Sequence, residues 1–99
     1  MAAAVVNHLT FNDRVDPDLF RRAEQDLVPQ MRAIEGFVAL HVVQTSDHDV
    51  ILLILATTED VLDRLATEVG SPWMVANVVP LLSCPPTRHI GPLIASSDS

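Results

Sequence analysis

Val50-Ile51-Leu52-Leu53-Ile54-Leu55-Ala56 is seven residues without a polar position, closed by Thr57-Thr58-Glu59-Asp60. An unbroken apolar run of this length reads as a β-strand with both faces covered, since a half-wet strand would alternate. A chain of 99 residues forms one domain with an adequate core, and rarely supplies two covers for one sheet. Helices of the same chain are therefore expected on one face of this strand, and a second copy of the chain on the other.

Working outward, Ser46-Asp47-His48-Asp49 is short and polar, and predicts a hairpin back to a strand over Phe37–Thr45. Before it, Gly36 is placed to cap the end of a helix. That helix starts at Asp16-Pro17, an N-cap oxygen followed by proline at the first helical position. Phe20, Ala23, Leu27, Met31 and Ile34 repeat at helical spacing along it. Pro29 interrupts the pattern and predicts a kink or a break near Val28. The first strand is Ala3–Phe11. Its alternation sets Val5, Asn7, Leu9 and Phe11 on one face and Ala4, Val6, His8 and Thr10 on the other.

On the C-terminal side, Thr57 and Asp60 have capping-box spacing for a helix carrying Val61, Leu62, Leu65, Ala66 and Val69 inward. Gly70 is expected to end it, with Ser71-Pro72 starting a further helix from Trp73 to about Leu82. Arg88–Ala95 reads as the last strand, placed at an edge or bulge by Gly91-Pro92. Residues 95–99 form a loose tail of a single 1–99 domain. Strand, helix, two strands, helix pair and strand give an α+β, ferredoxin-like split βαβ fold with a four-stranded antiparallel sheet. Two such sheets face to face make a dimeric α+β barrel.

Composition narrows the function. Six arginines, no lysine and thirteen acids leave a net charge of −7, which argues against a nucleic-acid partner. Hydrophobic residues make up 48%, high for so small a monomer and consistent with a homodimer through the sheet face. One cysteine, Cys84, permits no intrachain disulfide and fits a reducing compartment. The start lacks a charged segment before its short apolar stretch, and no run approaches the ~20 apolar residues of a membrane span. A cytoplasmic protein is the expectation. Metal and cofactor are expected to be none: no His or Cys pair has ligand spacing, and three scattered glycines build no phosphate loop.

Asn7 stands among Val5, Leu9 and Phe11, where an amide must find partners. It either satisfies neighbouring backbone or donates to a substrate oxygen. Trp73 packs in the core or walls an aromatic site. Asn77 follows at i+4 and adds an amide to the same face or is simply wet. His41 and His89 are structural residues or bases titrating near neutrality. Arg88 makes an ion pair or attracts an anionic or phenolate substrate.

Over nearly its whole length the chain resembles the antibiotic biosynthesis monooxygenase superfamily of dimeric α+β barrels. The resemblance rests on Val5-Val6-Asn7-His8-Leu9-Thr10, Ile34-Glu35-Gly36-Phe37, Gln44-Thr45 and a short helix around Ser71–Val79. It implies a cofactor-independent monooxygenase for a small aromatic or quinol-type molecule held in a helix–sheet cleft. In that reading Asn7, His41 and His89 are catalytic, while Trp73, Asn77 and Arg88 bind substrate. The alternative is a non-catalytic dimeric small-ligand-binding or stress-related protein on the same fold. Two features depart from the superfamily: Trp73–Val79 lacks the histidine iron ligand of the haem-degrading branch, and Leu55-Ala56-Thr57 stands where several members have tryptophan.

Overall fold

A computed structural model describes residues 2–95; of the expected tail, 96–99 lie outside the described residues. The elements are β1 (Ala3–Thr10), α1 (Pro17–Arg32), β2 (Phe37–Gln44), β3 (Asp49–Ala56), α2 (Glu59–Leu65), α3 (Ser71–Asn77) and β4 (Thr87–Pro92). The four strands form one antiparallel sheet in the order β2-β3-β1-β4. The apolar strand β3 is thus central, and β1 and β2 run parallel with β3 between them, as a split βαβ unit requires.

Directly paired residues share a face, so the register sorts the strands into two surfaces. One holds Val5, Asn7 and Leu9 of β1 with Val50, Leu52 and Ile54 of β3, Leu40 and Val42 of β2, and Arg88 and Ile90 of β4. The helices cover this face. Ala23, Leu27 and Met31 of α1 join Leu62 and Leu65 of α2 over Ala3, Val5 and Ala56 in one buried cluster. A second cluster gathers Leu9, Phe11, Val15, Leu19, Val50 and Val78. Phe11 and Phe20 meet edge to face, centroids 6.1 Å apart at 84°.

The other surface carries Ala4, Val6, His8, Ala39, His41, Val43, Asp49, Ile51, Leu53, Leu55, Thr87 and His89. No described helix packs over it. Val50 and Ala56, on the helix side, are fully buried, whereas Ile51, Leu53 and Leu55 are only half-buried.

Several boundaries differ from the sequence expectation. α1 passes through Pro29 without ending. Pro29 and Gln25 are both exposed, so water can take over the carbonyl that proline leaves without a donor. Asp16 caps α1 as expected, accepting from the Asp18 amide at 3.0 Å. α1 stops before Gly36, with Ala33 as its C-cap; Gly36 supplies φ +100° in the turn that follows. A Cβ there would sit 2.7 Å from Thr57 Oγ1 and 2.8 Å from Val61 Cγ2, so glycine fits both the angle and the gap. Thr58, not Thr57, caps α2, its hydroxyl accepting from the Val61 amide at 3.2 Å.

Gly70 does not end that helix. The backbone stays helical through a π turn, Ala66–Gly70, straight into α3; the Ser71 amide donates to the Ala66 carbonyl, and no side chain caps the start of α3. α3 stops at Asn77, and a 3-10 turn, Val79–Leu81, follows because Pro80 cannot extend the α-ladder. Phe11 lies beyond β1 and bridges Leu82. β4 is an edge strand, as Gly91-Pro92 foretold, but it spans Thr87–Pro92 rather than Arg88–Ala95. Among the described residues no helix is long and apolar enough to cross a membrane.

Candidate functional site

Between the helices and the covered sheet face lies a cavity of about 310 Å³. It opens where the two buried clusters meet, with Phe20 and Trp73 packed against both. Val5, Leu27, Met31, Leu52, Ile54 and Leu65 supply apolar wall, the π turn contributes Ala66 and Gly70, and α3 closes one side with Trp73, Met74 and Val75. This cavity explains why Leu52 and Ile54 are only half-buried although helices lie over them. The π turn matters to its shape: a wider turn shifts the helix path by a residue, a feature frequent beside functional sites.

Besides the Trp73 indole, the lining residues with polar side chains are Asn7, Arg88 and Ser71. Asn7 and Arg88 are directly paired across β1 and β4, so their side chains leave neighbouring points of the same face. The Asn7 amide makes no hydrogen bond to another described residue, and no buried side-chain N or O among those residues lacks a partner. Its polar atoms are therefore reached by water through the cavity. Arg88 reaches Asp63 of α2 at 3.4 Å, a long, solvent-exposed contact. Such a pair is worth little, and its guanidinium keeps donors free for a second acceptor.

Of the six residues singled out from sequence, Asn7, Trp73 and Arg88 come together at this cavity. Asn77 does not: it is exposed on α3, and its amide donates to the Trp73 carbonyl at 3.0 Å. His41 and His89 pair with Leu53 and Val6 and so lie on the open sheet face, away from Asn7. For His41 the cause is a β-bulge between Phe37 and Ala39. Unbroken alternation from the inward Phe37 would turn residue 41 inward; the extra residue reverses every later position of β2.

A polar cluster on the open face was not singled out from sequence. Asp49 accepts from Ser46 Oγ at 2.7 Å and Thr10 Oγ1 at 2.8 Å, and pairs with His8 Nε2 at 3.0 Å. The hydrogen bonds from Ser46, Thr10 and His8 hold its carboxyl below the usual carboxylate range. Its sequence signal is the Ser46-to-Asp49 spacing in the hairpin, where Ser46 Oγ also accepts from the Asp49 amide. Among the described residues no group of three or more metal-ligating side chains converges.

Solved structures share this architecture along the full chain. SnoaB, a cofactor-independent oxygenase from Streptomyces nogalater, superposes with a TM-score of 0.74 at 14% identity, covering 99% of this chain and 98% of its own. A putative antibiotic biosynthesis monooxygenase from Caulobacter crescentus gives 0.74 at 17% identity, with 95% and 91% covered. Rv0793 from Mycobacterium tuberculosis gives 0.73 at 16% identity, with 98% and 99% covered. The fold is that of the antibiotic biosynthesis monooxygenases. No protein-family model and no curated protein sequence matches the chain. At these identities the likeness concerns the fold, which hosts more than one function.

Proposed function

We propose that the chain is a cofactor-independent, monooxygenase-like enzyme that takes a small aromatic or quinol-type molecule into the helix–sheet cavity, and that it works as a homodimer. The observation that supports this most is a mostly apolar cavity of about 310 Å³ with an amide and a guanidinium side by side on one wall. A flat apolar body fits against Trp73 and Phe20, with its acidic oxygen toward Asn7 and Arg88.

Arg88 favours the ionised form of a phenol or enol, and Asn7 donates to the same oxygen, so negative charge is stabilised where it develops. The carbanion form of such a substrate gives electrons to O2 directly. For an anthrone-like methylene the balance is CH2 + O2 → C=O + H2O: the carbon loses four electrons, one oxygen atom enters the product and the other leaves as water. No histidine or carboxylate lines this cavity among the described residues. The substrate must therefore be acidic enough to lose its proton to water or buffer once Arg88 is near.

That lack of a base also favours a second reading, a dimeric small-ligand-binding protein without chemistry. O2 uptake with a panel of hydroquinones and anthrones separates the two. Asn7→Ala should lower kcat roughly 10- to 100-fold, the scale of one lost oxyanion donor or somewhat less, while circular dichroism stays that of the wild type. Saturable ligand binding without O2 uptake across the panel would overturn the enzyme and leave the binder.

A further inference from the structure

The open sheet face has an unusual ionisable set. Thirteen acids against six arginines give the chain its charge of −7, yet among the described residues Asp49 is the only acid on this face. No arginine lies there, and the remaining titratable groups are three of the chain's four histidines: His8, His41 and His89, one on each of β1, β2 and β4. His8 already pairs with Asp49. His41 and His89 form ion pairs with no described carboxylate, and they flank Leu53 and Val6 in a single register row across the sheet. Strongly acidic chains can approach one another where the acids are missing, so the occupant that fits this apolar, acid-poor face is a second copy of the chain.

We infer that protonation of His41 and His89 on the open sheet face releases the two copies from one another, so that self-association is gated by pH. The inference rests on the homodimer proposed above. In the associated state the row His41–Leu53–Val6–His89 packs against its counterpart with neutral imidazoles. On protonation each copy gains cations that would have to be desolvated at the interface. The other ionisable groups around them do not cancel this. Arg21, Glu24 and Arg32 of α1 share a groove with His41, a net positive set. The ionisable groups beside His89 are His8 and, through it, Asp49, which His8 already engages. His48 and Asp47 lie beyond, in the hairpin.

The sign is opposite to that of bulk charge. Acidification lowers the net negative charge toward the isoelectric point near 4.7, and by itself would tighten association. A histidine that must stay neutral in the dimer weakens association about tenfold at one pH unit below its ordinary value, hence about 100-fold for one such residue per copy.

Sedimentation equilibrium of the full chain at about pH 7.5 and about pH 5.5 tests this, alongside the H41Q/H89Q double variant. The dissociation constant of the wild type should rise at least about 100-fold at the lower pH, while that of the double variant stays level or falls. A wild-type dimer equally tight or tighter at low pH overturns the gate and leaves the dimer standing. Equal weakening of wild type and double variant overturns the assignment to His41 and His89. A monomer at both pH values overturns the dimer itself.

Discussion

The two faces of one sheet are built from the same strands yet meet different solvents. On the helix side two of the few polar exceptions, Asn7 and Arg88, line a cavity. On the open side the apolar row Val6, Leu53, Leu55 and Ile51 is dotted with imidazoles and one engaged carboxylate. Chemistry on the first face needs a ligand-sized gap between sheet and helices. Association on the second needs a surface that another copy can match. Which residue serves which role is decided by strand parity, and one bulge in β2 is enough to move His41 from the first face to the second.

The largest expected effect comes from charging the open face. Leu53→Asp should abolish self-association and give insoluble or unfolded protein, because the carboxylate would be placed at the centre of an interface that should bury on the order of 2,000 Å². Leu81→Asp, at an exposed position in the 3-10 turn after α3, should change neither. Light scattering on both variants reads the contrast. A folded Leu53→Asp dimer with unaltered affinity would place the interface elsewhere and erase the difference drawn between the faces.

A smaller loss is expected at the joint that feeds β2. Gly36→Ala puts a Cβ under 3 Å from Thr57 Oγ1 and Val61 Cγ2 and asks alanine to hold φ +100°. Roughly 1–3 kcal/mol of stability should go, which for a domain of this size lowers Tm by several degrees or more. Thermal unfolding at fixed protein concentration measures it. An unchanged Tm would mean that the turn can relax, and with it the bulge that sets the parity of β2.

Much of this fold was legible in the sequence because its signals are local and periodic. The alternation of β1, the Asp16-Pro17 start of α1 and the polar hairpin before β3 all name their elements without reference to distant contacts. What stayed hidden depends on tertiary context. Gly70 and Ser71-Pro72 have the composition of a stop and a start, yet the backbone runs on as a π turn whose far side walls the cavity. Of the candidate site, Asn7 was placed by alternation alone. The sides taken by His41 and Asn77 depended on a bulge and a back-bonded amide, neither of which has a compositional mark.

The smallest effect belongs to Asp49, and its sign is fixed by its bonds. Ser46, Thr10 and His8 donate to a carboxylate, so the folded state holds this group below its ordinary value near 3.8. A carboxyl depressed on folding stabilises the protein above its unfolded pKa, and that contribution fades as pH falls through the folded value. Asp49→Asn should therefore lower the urea midpoint at about pH 7, whereas the gap to the wild type closes toward pH 3 or below. If the gap were the same at both pH values, the ionised carboxylate would have no special hold on the hairpin.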